Sequence, residues 1–454
     1  MKNLVLGLLI ALPALAQQKP PEAGAPKDFK LPAQRRVALE NGMLVTMVPW
    51  GNVPKVLIDV AVRAGNVDEG AGETWLADLT GDLLPEGTKT RTAAQIAESA
   101  ARMGGELHVG VTPDLTDATI DVLSEAGPEA VKLLADVVRN PTFPESDFAR
   151  RRNDRARQLS IARSQPQQLA LEKFLGTVYP ANPYGRLFPS PQELQALTAD
   201  KARAFHQANY AAARTHVYVV GAFDGDRMEQ ALREAFGDWK RGSEAAARPP
   251  SPHAARAVHL VDRPGAVQST IYLGMPVIDP SNPDYVKLLV TNALLGGSFG
   301  SRITSNIREQ KGYTYSPFST VSTRKRDAYW AETADVTTKD TGASLKEIFG
   351  EIARLKAEPP SREELAGIQR YVAGSFVLRN STRAGIASQL RFVDLNGLPD
   401  DYLTTYVQRV YAVSPADVQD VAKRYIQDDR AAIVVVGDLK TVREQVAAFG
   451  SVAN

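Results

Sequence analysis

The stretch Leu197–Phe223, "LTADKARAFHQANYAAARTHVYVVGAF", can be laid without a gap over Val413–Leu439, "VSPADVQDVAKRYIQDDRAAIVVVGDL". Thr198 meets Ser414, Arg214 meets Arg430 and Gly221 meets Gly437, all in one register. Each copy reads as an N-cap hydroxyl, a helix, a turn and an apolar strand closed by glycine. Such a register implies duplication: two halves of similar size and similar fold. Between them, Arg241–Arg256, "RGSEAAARPPSPHAAR", carries neither helical nor strand period and reads as a linker.

Working outward, "RRVALENGMLVTMVPW" (Arg35–Trp50) reads as two strands around an Asn41-Gly42 turn, and "KVLIDVAVRAG" (Lys55–Gly65) as a third. Helical spacing follows in "TAAQIAESAARMG" (Thr92–Gly104) and in "GPEAVKLLADVVRNP" (Gly127–Pro141). Two further strands, "GELHVGVTP" and "LTDATIDVLSE", lie between those helices. Strands and helices thus come in blocks, which predicts an α+β protein: two α/β-layer halves, each an antiparallel or mixed sheet flanked by helices, joined by the linker in a clam-shell arrangement.

The chain has 454 residues and 44% hydrophobic content, enough to bury sizeable cores. Its 53 Lys plus Arg nearly balance 52 Asp plus Glu, so no overall field favours nucleic acid or an anionic membrane. There is no cysteine, hence no disulfide, thiol nucleophile or thiolate ligand. The opening "MKNLVLGLLIALPALAQQ" has one Lys, a short apolar run and a small-x-small Ala14-Leu15-Ala16 cut site. The expected division is a signal peptide over 1–16, a Pro-rich leader over 17–35, a first domain over 36–240, the linker over 241–256 and a second domain over 257–454. Export to the periplasm or exterior follows, with no membrane association after cleavage.

The segments "ENGMLVTMVPW", "GTKTRTAAQIAESAARMGGEL", "VRNPTFPESDF", "NPYGRLFPSPQELQALT" and "LLGGSFGSRITSNIREQKGYTYS" occur in the order and spacing that resembles the pitrilysin, or insulinase, family of inverzincin peptidases. The likeness is strongest to the short subunits that include the mitochondrial processing peptidase. In that family the first half carries His-x-x-Glu-His on a helix before a Gly-Thr turn: two histidines hold Zn²⁺ and the glutamate activates water. Here "TWLADLTGDLLPEGTKTRT" (Thr74–Thr92) places those roles on Asp78, Gly81 and Asp82. Gly81 has no general base to offer, and two aspartates without imidazole make a harder, oxygen-only pair suited to Mg²⁺ or Ca²⁺, or are simply solvated or hydrogen-bonded. The family's third ligand falls in "DFARRRNDRARQLSIARS", on Arg151 or Gln158. None of the five histidines, His108, His206, His216, His253 and His259, forms an i,i+4 pair.

The resemblance implies peptide binding along the strand "GELHVGV", where His108-Val109 replaces the Asn-Ala common in active subunits. It also implies a substrate-lining loop at Gly296-Gly297-Ser298, and an Arg308 and Tyr315 that polarise the substrate carbonyl. Tyr313 falls on the same side of a predicted strand as Tyr315, so spacing leaves both open; the match of "GYTY" to the family's Gly-x-x-Tyr selects Tyr315. What the resemblance implies is a subunit that binds no metal, works with a zinc-bearing sister of similar length, and contributes Arg308 and Tyr315 to peptide hydrolysis. The alternative is a structural or scaffolding member of the family.

Overall fold

The computed structural model describes residues 29–246 and 250–453; the expected signal peptide, most of the leader and part of the linker lie outside them. The first half builds a six-stranded mixed sheet from β1 (Arg35–Ala38), β2 (Leu44–Pro49), β3 (Lys55–Val62), β4 (Leu107–Val111), β5 (Thr116–Leu123) and β6 (Thr215–Gly221), in the order β1-β2-β6-β3-β5-β4. The second half builds a sheet like it from β7 (Ala257–Asp262), β8 (Gln268–Val277), β9 (Phe318–Arg324), β10 (Asp327–Thr337), β11 (Ala432–Gly437) and β12 (Ser451–Ala453), in the order β12-β7-β11-β8-β10-β9, its edge strand β12 coming from the C-terminal end where β1 comes from the start of the first half. Among the described residues only β2 with β6, β7 with β11 and β7 with β12 run parallel.

The duplicated stretch becomes the helix Ala199–Asn209 with β6, and the helix Pro415–Tyr425 with β11. The Thr198 hydroxyl accepts from the Lys201 amide, and the Ser414 hydroxyl from the Asp417 amide, so both helices start on the capping residues that the alignment paired. β6 and β11 sit inside their sheets and are apolar on both faces, as "HVYVV" and "AIVVV" require.

One face of the first sheet packs on its own helices Leu76–Leu83, Gly127–Arg139, Ala199–Asn209 and Gly225–Phe236. The opposite face is covered from the second half: Ile386, Ala387, Leu390 and Val393 of the helix Arg383–Asn396 lie with Leu57, Tyr218 and Val220. Reciprocally, the helix Pro166–Val178 of the first half covers the outer face of the second sheet, with Phe174 against Tyr272 and Tyr329 at 4.6 and 5.2 Å between ring centroids. Burying one such aromatic contributes about 1.5–3 kcal/mol. The two halves are therefore interlocked by crossed helices as well as joined by the linker.

Charge fixes the register of the crossing helix. Arg391 donates to Asp59 on β3 at 2.9 Å and lies 3.3 Å from Asp117 on β5, while Arg383 forks onto Asp121 at 2.7 and 3.1 Å. The Tyr218 hydroxyl donates to Asp394 at 2.8 Å. Burial pushes Asp59 up to about 7, against the pull of Arg391. Removing the cation strands this carboxylate. Arg391→Met should therefore cost about 3 kcal/mol in urea unfolding at pH 8. The loss should be smaller at pH 5, below the folded-state value of Asp59, where the carboxyl is protonated even beside Arg391 and little charge pairing is left to lose; equal losses at both pH values would contradict this account.

Candidate functional site

The helix Leu76–Leu83 starts on Trp75, held in the left-handed region at φ 73°. The Trp75 indole donates to the Leu187 carbonyl at 3.0 Å and meets Phe188 edge-on at 5.8 Å, which anchors that conformation. Leu76, Leu79 and Leu83 fill the core, so Asp78 and Asp82 point together at the helix Glu145–Ser164. Between them stands a guanidinium. Arg155 donates through Nε and Nη2 to Asp82 at 2.7 and 3.0 Å, and its Nη1 lies 3.3 Å from Asp78.

Arg155 lies between the two positions offered by the sequence, neither of which faces the aspartates. Arg151 pairs with Glu86 alongside Arg150, and Gln158 is exposed. Position 155 is one helical turn from each of them, and a cation opposite two aspartates was the available signal. The second oxygen of Asp78 accepts from Asn66 at 2.7 Å; Asn66 also donates to Glu69 at 3.0 Å, as does the Ala77 amide at 2.9 Å. Burial raises Asp78, Arg155 draws it back, and desolvation carries Glu69 up to about 8.

The middle position is closed by sterics. A Cβ on Gly81 would stand 2.5 Å from Val111 Cγ2 and 3.6 Å from Val109 Cγ1, because β4 lies directly against the helix. A glutamate there has no room unless the Val111 side chain or β4 shifts. These residues do not fit a zinc ion: a tethered cation already sits between the carboxylates, no imidazole joins them among the described residues, and Gly81 offers no base. Among the described residues no group of three or more His, Asp or Glu side chains is placed to hold a metal. His206 and His216 are structural, bonded to the Val138 carbonyl and the Thr46 hydroxyl and pushed down by burial to about 4 and about 3.

β4 is an edge strand, as the peptide-binding expectation requires. Its His108 points to solvent, near Glu106 at 3.9 Å, whereas Val109 packs inward over Gly81. Val109 is thus occupied in packing, not presented outward.

In the second half the helix Tyr285–Leu295 ends at Gly296. A Cβ on Gly296 would meet Glu332 Oε2 at 2.4 Å, and one on Gly297 would meet Asn292 Nδ2 at 2.4 Å, so both glycines are needed for close approach. The loop is sealed by the Ser319 amide donating to the Gly296 carbonyl at 3.1 Å. Asn292 Oδ1 accepts from Ser319 and Trp330, each at 2.8 Å, and Glu332 lies fully buried beneath, raised well above the usual carboxylate range by desolvation. Ser298 is buried, and Gly297 lines a cavity of about 470 Å³ with Asn292, Ser319, Tyr371 and Arg379.

From this loop the chain enters a short helix, Arg302–Thr304, and then a π-helical turn, Ser305–Gln310, that carries Arg308. Asn306 ties the turn to Glu347 and Glu351 at 3.0 and 2.8 Å, and Ile307 is fully buried. The expected strand through Tyr313 and Tyr315 is not there. Gly312 turns the chain at φ 67°, Pro317 has no N–H to give a ladder, and β9 begins only at Phe318. Thr314 makes a lone bridge to Val336. Tyr313 packs against the core while Tyr315 is 81% exposed, so the two tyrosines do not share a face. Arg308 stands with its guanidinium 5.0 Å from the Tyr315 ring centroid.

Comparison with known proteins agrees with this architecture. Residues 51–192 match the insulinase family, peptidase family M16, and residues 196–372 match the peptidase M16 inactive domain. The chain belongs to the M16 peptidase family. An uncharacterized zinc protease of Streptomyces coelicolor is 24% identical over 89% of this chain and 90% of its own length. Another, from Mycobacterium tuberculosis, is 28% identical over 78% of this chain and 80% of its own. Among solved structures, a peptidase M16 inactive domain from Pseudomonas fluorescens superposes with a TM-score of 0.83 at 24% identity, covering 89% of this chain and 98% of that one. A protease from Helicobacter pylori gives 0.82 at 22%, covering 90% and 100%.

Two measurements check this site. Gly81→Ala should cost about 2 kcal/mol through the clash with Val111, and adding Val111→Ala should recover part of that loss in urea unfolding; equal costs alone and combined would refute the contact. Glu69 titrates from its ordinary 4.5 when unfolded to about 8 when folded, so the native state holds the extra proton and stability falls as pH rises across that window. Glu69→Gln should reduce the fall in Tm between pH 5 and pH 8 by roughly 2 °C; an unchanged profile would show that Glu69 is not the titrating group.

Proposed function

We propose that this chain is the non-zinc subunit of an exported heterodimeric M16 metallopeptidase, supplying peptide binding and carbonyl polarisation to a sister chain that bears His-x-x-Glu-His and its Zn²⁺. The observation that carries the reading is the contrast between its two halves. Arg155 closes the first-half site with a fixed charge. In the second half, Arg308 makes one ion pair, Nε to Glu309 at 3.2 Å, and beside it Tyr315 is 81% exposed.

The contribution of this chain is electrostatic. As the scissile carbonyl becomes tetrahedral its oxygen gains negative charge, and donors already aimed at that oxygen stabilise the transition state more than the bound peptide. The terminal N–H groups of Arg308 and the Tyr315 phenol are such donors. The edge of β4 offers backbone groups to an extended peptide, although Val109 is turned inward. A scaffolding role is the second reading, favoured by the closed first-half site.

The test is to mix this chain with each His-x-x-Glu-His family member encoded in the same genome and follow cleavage of an internally quenched peptide pool. One mixture should turn over while each chain alone is silent, Arg308→Ala should lower kcat about 100-fold, and Tyr315→Phe about tenfold. No active mixture, or full activity with both residues replaced, would leave the scaffold reading. The mature native chain should begin at Gln17; recovery with Met1 intact would contradict export.

A further inference from the structure

Phe299, at the tip of the loop that begins with Gly296-Gly297, is 70% exposed. Its ring has a partner nonetheless. The Arg308 guanidinium stands 4.3 Å from the Phe299 centroid and 5.0 Å from that of Tyr315, so two aromatic rings attend one cation. The Arg308 side chain is only 23% exposed, although both rings are largely open to water. Its terminal nitrogens make no hydrogen bond among the described residues, and its one ionic contact is Nε to Glu309.

A guanidinium ordered by ring contacts keeps its N–H groups for other partners, whereas one held by carboxylates spends them. A free arginine also loses rotamer entropy when a ligand orders it. Ring contacts that order it beforehand remove part of that cost without consuming a donor. The backbone contributes as well: the wide turn Ser305–Gln310 sets the direction of Arg308, and the glycine loop is anchored on β9 through Ser319.

We infer that Phe299 is a positioning residue: with Tyr315 it holds the Arg308 guanidinium ready, with its terminal nitrogens unspent, for the carbonyl oxygen of a bound peptide. The inference rests on the proposed role of Arg308. Truncating an exposed ring removes no core contact, so Phe299→Ala should fold normally.

The experiment uses the assembled peptidase pair and the quenched peptide pool, with Phe299→Ala, Phe299→Tyr, Arg308→Ala and the Phe299→Ala/Arg308→Ala double variant. Arginine Nε–H NMR signals of the labelled full chain are recorded alongside. Phe299→Ala should lower kcat/KM about three- to tenfold, and Phe299→Tyr should restore it to within about twofold. Phe299→Ala should have no further effect once Arg308 is gone, and should move the Arg308 Nε–H signal from its ring-shifted position. An active pair indifferent to Arg308→Ala overturns the functional reading and this inference with it. A pair that needs Arg308 but tolerates Phe299→Ala overturns this inference alone. So does failure of Phe299→Tyr to rescue, or an additive loss in the double variant.

Discussion

Each half of this chain builds a sheet with two apolar faces but supplies helices to cover only one of them. That shortfall organises the molecule. A sheet face left in water would forfeit about 25 cal/mol for every Å² of apolar surface, so each half depends on a helix lent by the other. Arg383–Asn396 crosses to the first sheet and Pro166–Val178 to the second. Because hydrophobic burial has no direction, the register of the crossing comes from polar contacts, with Arg391 on Asp59 and Arg383 on Asp121 fixing one helix and Gln167 on Asp335 helping to fix the other.

Within this near-symmetric frame the two halves have diverged in how they use charge. In the first, Asp78, Asp82 and Arg155 satisfy one another over a short distance, with Asn66 on the remaining oxygen of Asp78. The arrangement retains the electrostatic demand of a metal site, two anions around one cation, but the cation is covalently part of the chain. Val109 and Val111 complete the closure by filling the space that a side chain at position 81 would need.

The second half does the opposite. It spends buried hydrogen bonds on scaffolding, through Asn292, Ser319 and Trp330 beneath the glycine loop and Asn306 within the π-helical turn, and leaves Tyr315 at the surface beside a half-buried Arg308. Rigid support below and unspent donors above is the arrangement expected of a binding element. It is also compatible with membership of a peptidase family by a chain that has lost the residues for metal chemistry.

The duplication, the mixed-sheet α+β class, the caps at Thr198 and Ser414, and the absence of zinc ligands at Asp78, Gly81 and Asp82 were all legible in the sequence. They rest on local periodicity, capping chemistry and residue identity, none of which needs a distant partner. The third dimension decided the rest. Arg155 acquires its meaning from Asp78 and Asp82 across a helix interface, and the sequence offered instead Arg151 or Gln158, each one turn away from it. Alternation suggested a strand through Tyr313 and Tyr315, but Gly312 and Pro317 break it, leaving one ring in the core and the other in water. Neither the exchange of helices between halves nor the seating of Phe299 on Arg308 has a local signature, because both depend on which surfaces remain uncovered after each half has folded.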